Sequence, residues 1–438
     1  MIPLTFPSNE AFQRLKQIKS RRIELGGEIE QQVKEIIEQV KEKGDEALVN
    51  YTRKFDCPGY TPGDISVRDN EIDEARKKVD DDFKDILKRA IENITKFHEN
   101  QKQKSWFQTS DDGTILGQIV RPVKSAGLYI PGGKGGETPL ISSVLMNAIP
   151  AKIAGVEDLA MVSPPKRDGS LNPYLLVAAE SVGIKRIHKL GSAWAIAALA
   201  FGTESVLPVD VIVGPGNIYV ALAKSLVSGR VGIDMIAGPS EILVIADSSA
   251  SPEEVAADLL SQAEHDPMAS SIFITTDEDL AGKVSAEVER QLDLLPRNEI
   301  ARESWDNFGG IFVVKDLDMA AELANDLAPE HLEILIDAPF DLLAKIKNAG
   351  AIFLGRHSPE AVGDYFAGPN HVLPTSGTAR FASALSVDDF VKKSSVIYYS
   401  GEAFMRDASA IIKLAELEGL EAHARSIKVR LKDQSKIR

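Results

Sequence analysis

Cysteine is almost absent from this sequence. Cys57 is the single cysteine in 438 residues, so an intrachain disulfide is excluded. A chain of this kind is typical of a reducing compartment.

Long hydrophobic runs and a targeting segment are missing as well. No uninterrupted apolar stretch is long enough to span a bilayer. The start of the chain, MIPLTFPSNEAFQRLKQ, has neither the basic beginning nor the apolar centre of a signal peptide. We therefore expect a cytoplasmic protein.

Positive charge is scarce relative to negative charge. The sequence has 50 Lys and Arg against 65 Asp and Glu, a formal net charge of −15. This balance argues against a general nucleic-acid surface and favours a protein that handles small molecules. The length predicts two or three domains with ample core.

Strand-like apolar runs alternate with helical stretches over most of the chain. One such run extends from about residue 115 to 240, and a second begins at EILVIAD, residues 241–247. This alternation predicts an α/β fold with parallel sheets and right-handed crossovers. From about residue 385 short helices and one strand follow, and they form an appendage suited to wrapping a partner subunit.

Two glycine-rich loops follow predicted strands. GLYIPGGKGGET, residues 127–138, fits neither a Walker A loop nor GxGxxG, and GPGN occupies residues 214–217. Each loop is either a flexible turn or a place where backbone approaches a phosphate-bearing cofactor. Two such loops in one α/β unit favour a nucleotide site.

The stretch SPEEVAADLLSQAEHDP, residues 251–267, reads as a helix. Ser251 and Glu254 predict a capping box, and Pro267 predicts an end near His265. Gln262 lies three residues before His265 and shares its face. The pair is either a polar helix end or the beginning of a metal site.

Three other stretches carry acids and imidazoles. Glu330 and His331 precede a predicted strand, where they could transfer protons or form a polar loop end. The long loop 363–375, GDYFAGPNHVLPT, and the segment 418–423, EGLEAH, contribute others. Gln262, His265, Asp364 and His423 would give a mixed nitrogen and oxygen set, which suits zinc or another divalent ion.

These stretches together resemble the histidinol dehydrogenase family, over roughly residues 30 to 430. The segments that carry the resemblance occur in the family's order: GLYIPGG, VGPGN, IDMIAGPSE, DLLSQAEHD, APEHLE, GDYFAGPNHVLPT and EGLEAH. The resemblance implies a zinc-dependent, four-electron oxidation of L-histidinol to L-histidine in histidine biosynthesis. The route passes through bound histidinaldehyde and reduces two NAD, with one zinc ion per subunit.

The resemblance also implies roles for individual residues. His331 would take the alcohol proton, and Glu330 would activate water for the second step. By family position, the metal ligands are Gln262, His265, Asp364 and His423. The substrate contacts are Ser240, Gln262, His265, His331, Asp364, His371, Glu418 and His423. The NAD contacts are Tyr129 and Asn217.

The domain organisation implied is a pair of incomplete Rossmann-like domains with helical extensions. We expect an N-terminal helical segment at 1–25 and an NAD-side domain at 129–239. The first Rossmann-like domain, with most metal and catalytic residues, would combine 26–128 and 240–384. Residues 385–438 would form the dimerisation tail of a homodimer. This tail would bring Glu418 and His423 into the neighbour's site.

The chain departs from the family at Trp194, where glutamine is usual near NAD. The indole would either stack on the cofactor or obstruct it, so Trp194 is not among the predicted cofactor contacts. Cys57 lies far from every motif, and hydration of the aldehyde is therefore a simpler route than a thiohemiacetal. Alternative functions are a related zinc-dependent dehydrogenase of another polar alcohol and a two-lobed small-ligand binding protein.

Overall fold

A computed structural model describes residues 1–21, 27–132 and 139–433. These residues form two compact units. The first combines Met1–Lys102 with Val123–Phe390, and the second combines Gln103–Pro122 with the chain from Val391 onwards. Within the described ranges, no helix is both long enough and apolar enough to cross a membrane.

Most strands form where the apolar runs predict them. In chain order the strands are β1 Leu4–Thr5, β2 Trp106–Thr109, β3 Ile115–Pro122, β4 Ser125–Tyr129, β5 Asp158–Val162, β6 Arg186–His188, β7 Val211–Val213, β8 Gly232–Ile233, β9 Glu241–Ala246, β10 Ser270–Thr275, β11 Gly310–Val313, β12 His331–Leu335, β13 Ala351–Leu354 and β14 Val391–Tyr398. Of these, β1 and β2 lie before the first predicted run, and β8 was not predicted.

The helices alternate with these strands. In chain order they are α1 Asn9–Lys19, α2 Glu28–Lys43, α3 Asp45–Phe55, α4 Asp69–Lys78, α5 Asp81–Glu99, α6 Ile141–Ala154, α7 Pro173–Ser181, α8 Ser192–Phe201, α9 Ile218–Val227, α10 Pro252–Ala263, α11 Glu278–Leu292, α12 Asn298–Phe308, α13 Leu317–Leu327, α14 Pro339–Leu343, α15 Glu360–Val362, α16 Gly401–Leu417 and α17 Glu421–Asp433.

The first unit contains two parallel sheets, which confirms the predicted α/β class. One has the order β1-β11-β10-β9-β12-β13, and the other has the order β6-β5-β4-β7-β8. Strands such as β9 and β10 are buried along their whole length, as parallel strands covered by helices on both faces require. The strand order reverses once in each sheet. In the six-stranded sheet the reversal lies between β9 and β12, and in the five-stranded sheet it lies between β4 and β7.

The second unit has a different construction. Its sheet is antiparallel, in the order β14-β3-β2, and the helices α16 and α17 follow β14. The predicted appendage, residues 385–438, therefore supplies one strand of this sheet, and residues 106–122 supply the other two. The predicted boundaries at 128, 239 and 384 remain predictions, and the boundary at 25 lies outside the described residues.

Helix α10 differs from its prediction at the amino end. Ser251 stands at the N-cap, but its hydroxyl makes no capping hydrogen bond within the described chain. Glu254 instead accepts from Arg356 Nε at 2.8 Å, so the predicted capping box is wrong. The Arg356 guanidinium therefore binds the carboxylate that the pattern assigns to the helix start. The helix ends at Ala263, two residues before His265.

Candidate active site

His331 is the first residue of β12, at the amino edge of the six-stranded sheet. Its Nδ1 lies 3.0 Å from the Glu241 carbonyl oxygen, which can only accept, so Nδ1 carries the proton. The Nε2 lone pair is buried and has no hydrogen-bond partner among the described residues. Burial lowers the pKa of His331 to about 3, and nearby His265 and His371 add to the effect. The imidazole is therefore a neutral base with one unengaged nitrogen.

Glu330 directly precedes His331, and both residues bond to Glu241, the first residue of β9. Glu330 Oε2 accepts the Glu241 backbone N–H at 2.9 Å, and the side chain is almost fully buried. Desolvation raises the pKa of this carboxyl well above its usual value. The parallel pairing of β9 with β12 sets His331 opposite Ile242, so the backbone of Glu241 holds both residues. The Glu241 side chain is itself fixed by an ion pair with the buried Arg21 guanidinium.

Two more carboxylates face His331. Glu360 Oε1 is 3.5 Å from Nδ1, and Asp364 Oδ1 is 3.9 Å from Nε2. Glu360 and Asp364 are four residues apart, and the short helix α15 continues directly into the helical turn Gly363–Ala367. The two carboxylates therefore project to the same side of this helical segment. Burial raises the pKa of Asp364 to about 7, and burial together with neighbouring carboxyls raises that of Glu360.

Gln262 joins this cluster from the last turn of α10. With its amide nitrogen directed at Glu360, Nε2 donates to the two carboxylate oxygens at 2.5 and 2.9 Å. Its oxygen then accepts the Glu241 N–H at 3.1 Å. His265 follows the helix and is exposed, yet it lies close enough to His331 and His371 to lower the pKa of both.

The donor atoms gathered here fit a metal ion. Candidate ligand atoms of His331, Glu360 and Asp364 all lie within 4.8 Å of one another in the described part of the chain. Imidazole nitrogens and carboxylate oxygens are zinc donors, and a cation would relieve the repulsion between the crowded carboxyls. Of the predicted ligands, the structure brings Gln262 and Asp364 into this cluster and leaves His265 at its edge.

Glu360 was missed by the sequence analysis. The signal that could have found it is its spacing, since it stands four residues before Asp364 and directly after Pro359. Pro359 adopts an extended conformation at the N-cap and begins a new helical turn, which sets Glu360 on the face of Asp364.

Two of the predicted substrate residues, Asp364 and His371, line a cavity beside this cluster. His371 Nδ1 donates to the Asp364 carbonyl oxygen at 3.1 Å, and Nε2 is 3.4 Å from the Ser143 hydroxyl on α6. A cavity of about 580 Å³ is lined by Asp364, His371, Phe353, Leu373, Phe97 and Asn370. That volume suits a small polar molecule with room for a second group. Ser240 directly precedes β9, and its carbonyl accepts from Ser270 N–H at 3.0 Å.

The predicted cofactor residues lie at the carboxyl edge of the five-stranded sheet. Tyr129 ends β4, and its hydroxyl accepts the Ser192 N–H at 3.1 Å. Asn217 follows β7 and caps α9, since its side chain accepts from the backbone of Tyr219 and Val220. The two residues flank the point where the strand order reverses, which is where open parallel sheets bind ligands. Of the loop 127–138, residues 133–138 lie outside the described residues.

Trp194, on α8, packs against helix α3. Its Nε1–H donates to Thr52 Oγ1 at 3.2 Å, and only 3% of the residue is exposed. The ring centroid is 5.7 Å from those of both Tyr51 and Phe55, with nearly parallel planes. The indole is therefore part of the packing between α8 and α3.

Glu418 and His423 belong to the second unit. Glu418 follows the end of α16, and His423 lies in α17; both are exposed. Their contribution to a site stays a prediction.

The chain is similar in sequence to the proteins of one known family. A model of the histidinol dehydrogenase family matches residues 19–431. The chain is 57% identical to a histidinol dehydrogenase of Carboxydothermus hydrogenoformans, over 95% of this chain and 97% of that one. It is 56% identical to the Bacillus subtilis histidinol dehydrogenase, over 95% and 96%.

A solved structure is similar over the whole chain. The crystal structure of histidinol dehydrogenase from Elizabethkingia anophelis superposes with a TM-score of 0.92, at 40% identity, and 99% of each chain is covered. Both the sequence match and the structural match extend over nearly the entire chain. This chain therefore belongs to the histidinol dehydrogenase family.

Proposed function

We propose that this chain oxidises L-histidinol to L-histidine in two steps and reduces two NAD for each histidinol. The observation that carries the proposal is the buried His331, whose Nδ1 is anchored on Glu241 and whose Nε2 is unengaged, with the Glu330 carboxyl beside it. Oxidising an alcohol and then hydrating an aldehyde requires two proton acceptors in one site, and this pair supplies them.

His331 acts in the first oxidation. Its Nε2 accepts the hydroxyl proton of histidinol while the carbinol carbon gives up a hydride to NAD, which yields histidinaldehyde and NADH. Nδ1 keeps its proton on the Glu241 carbonyl, and the Glu360 carboxylate at 3.5 Å stabilises the imidazolium charge.

Glu330 acts in the second oxidation. It takes a proton from water as the water oxygen bonds to the aldehyde carbon, and His331 returns its proton to the former carbonyl oxygen. His331 then takes a hydroxyl proton from this hydrate while the carbon gives up its second hydride to a second NAD. The sum is one histidinol, one water and two NAD converted to histidine carboxylate, two NADH and three protons.

The metal would be held by Gln262, His265 and Asp364, with His423 of a second copy completing the set. Zinc at this place would supply Lewis acidity toward the substrate without redox chemistry of its own. Because Glu360 holds the amide nitrogen of Gln262, the amide oxygen is the atom that would bind the metal, through the lone pair that the Glu241 N–H does not use. His371 is fixed on the Asp364 carbonyl, which supports its role in positioning the substrate.

A homodimer is part of the proposal, with the tail of each copy serving the other's site. The second unit exposes large apolar side chains on its sheet, and a cluster of this kind is typical of a protein interface. These residues are Trp106, Phe107, Leu116, Ile397 and Tyr398. Glu418 and His423 in the same unit are exposed and would reach the neighbour's substrate. Action in the cytoplasm remains a prediction from the sequence.

A substrate panel tests the proposed function. Zinc-loaded protein is given L-histidinol, amino alcohols without an imidazole, and imidazole alcohols without an amine, and NADH formation is followed. We expect kcat/KM to be highest for L-histidinol by at least a hundredfold. Preference for another polar alcohol would identify a related dehydrogenase. No NADH from any alcohol would refute the enzymatic function.

A further inference from the structure

The loop that follows β7 is held by a buried ion pair. The Gly214 N–H donates to Asp234 Oδ2 at 2.8 Å, and the Gly214 carbonyl accepts from Lys224 Nζ at 2.9 Å. Lys224 and Asp234 also pair directly, and their side chains are 2% and 0% exposed. Both backbone polar groups of one glycine therefore depend on two fully desolvated charges.

Stability alone does not explain why this ion pair is buried. Two charges lose their hydration when they are buried, and an apolar pair of the same volume is often at least as stabilising. What a buried ion pair adds is a fixed geometry, because each charge must keep its partners or remain uncompensated. The geometry fixed here is that of the loop Gly214–Asn217.

The loop needs such support because its backbone is unusual. Gly214 has φ +111°, and a Cβ at this position would lie 2.2 Å from the Tyr129 carbonyl oxygen. The ends of β4 and β7 are thus in direct contact at the point where the strand order reverses. A shift of Gly214 would move the loop away from Tyr129.

Lys224 also connects this loop to the helix that follows it. It stands seven residues after Asn217, about two helical turns along α9, and helical side chains lean toward the amino end. Lys224 can therefore reach back to Gly214 and fix the helix start, where Asn217 is the cap.

We propose that Lys224 and Asp234 are positioning residues for NAD, which hold Tyr129, Gly214 and Asn217 in the binding arrangement without touching the cofactor. This inference rests on the proposed function, because it takes Tyr129 and Asn217 as the NAD contacts.

The test is a double variant in which Lys224→Met and Asp234→Asn are combined. It leaves no lone buried charge, and the asparagine oxygen can still accept from Gly214. The bonds lost are that of the lysine to the Gly214 carbonyl and that of Asp234 Oδ1, which accepts the Met235 N–H at 2.6 Å. The control makes the same two kinds of change, Arg186→Met with Asp158→Asn, in an ion pair that is 20% and 39% exposed. That pair, bonded at 2.7 and 2.6 Å, joins the amino ends of β5 and β6 in the same sheet, at the edge opposite the loop.

The readouts are NADH binding by fluorescence titration, zinc content, and the Michaelis constants of zinc-loaded enzyme. We expect the double variant to bind NADH at least tenfold more weakly and to raise KM for NAD by a similar factor. KM for histidinol and the zinc content should stay within twofold of wild type, as should every value for the control.

Several results would overturn the inference. NADH affinity within twofold of wild type, an equal rise of KM for histidinol, or an equal loss in the control would each refute a positioning role for the pair. Should the double variant not fold, Lys224→Arg keeps the charge but cannot repeat the lysine geometry, and it should weaken NADH binding about threefold; unchanged affinity there also refutes the role. If wild-type protein binds no NADH, the proposed function fails and the inference fails with it.

Discussion

Replacing Glu330 with glutamine should separate the two oxidations. The amide oxygen of glutamine can still accept the Glu241 N–H that Glu330 Oε2 accepts at 2.9 Å, so the side chain keeps its place. What is lost is the capacity to take a proton from water. A positioned general base contributes about 10²- to 10⁴-fold, or roughly 3–5 kcal/mol of barrier. We expect a loss of that size in the oxidation of histidinaldehyde and less than tenfold in that of histidinol.

The assay measures the half-reactions separately. NADH formation is recorded with histidinol in the presence of an aldehyde trap, and then with histidinaldehyde as the starting substrate. Trapped aldehyde should accumulate with Glu330→Gln. Equal losses in both half-reactions would refute the assignment of Glu330 to water activation.

His331→Asn is the matched comparison. The asparagine amide nitrogen can occupy the place of Nδ1 and donate to the Glu241 carbonyl, whereas nothing replaces Nε2. Both half-reactions should therefore fall by a similar factor, about 10²-fold or more. Loss of only one of them would contradict the role given to Nε2.

Three further predictions concern stability and metal binding. Asp56→Asn should raise the free energy of unfolding by about 1–2 kcal/mol at pH 8 and have no effect below pH 4 in thermal denaturation. Burial raises the pKa of Asp56 from 3.8 to about 6, so the folded protein loses stability as pH rises through that interval; an equal effect at both pH values would contradict this. Trp194→Phe removes the bond to Thr52 and should cost about 1 kcal/mol while KM for NAD stays unchanged; a changed KM would place the indole near the cofactor. Glu360→Leu should weaken zinc binding about 10- to 100-fold in a chelator competition, because the Gln262 amide nitrogen loses both of its acceptors, and unchanged affinity would exclude that role.

The central strands of both parallel sheets follow directly from the sequence because buried parallel strands are continuous apolar runs, whereas the two-residue edge strands β1 and β8 were not predicted. EILVIA, which forms β9, and SIFIT in β10 needed no tertiary information to be recognised. Pro267 likewise predicts from the sequence alone that α10 ends before residue 267, because the residue that precedes a proline disfavours the helical conformation.

The assembly of the site could not be predicted in the same way. Glu330 and His331 come together with Gln262 because β12 pairs beside β9, and strand order is a property of the whole sheet. The chemistry therefore lies at the amino edge of the six-stranded sheet, although parallel sheets usually bind ligands at the carboxyl edge. Glu360 was overlooked because it belongs to a single helical turn, which is too short to give a periodic signal.

The capping box predicted at Ser251 is wrong for a related reason. Ser251 and Glu254 have the right spacing, but Arg356 lies about a hundred positions away in sequence and competes for the carboxylate. Local patterns cannot include such a partner.

The most direct test of the central claim is the number of NADH formed per histidinol consumed, on metal-stripped protein with and without added zinc. The account predicts two NADH per histidinol, formed only when zinc is present. One NADH with released aldehyde would contradict the role of Glu330 in the second step, and no NADH with zinc present would contradict the proposed function itself.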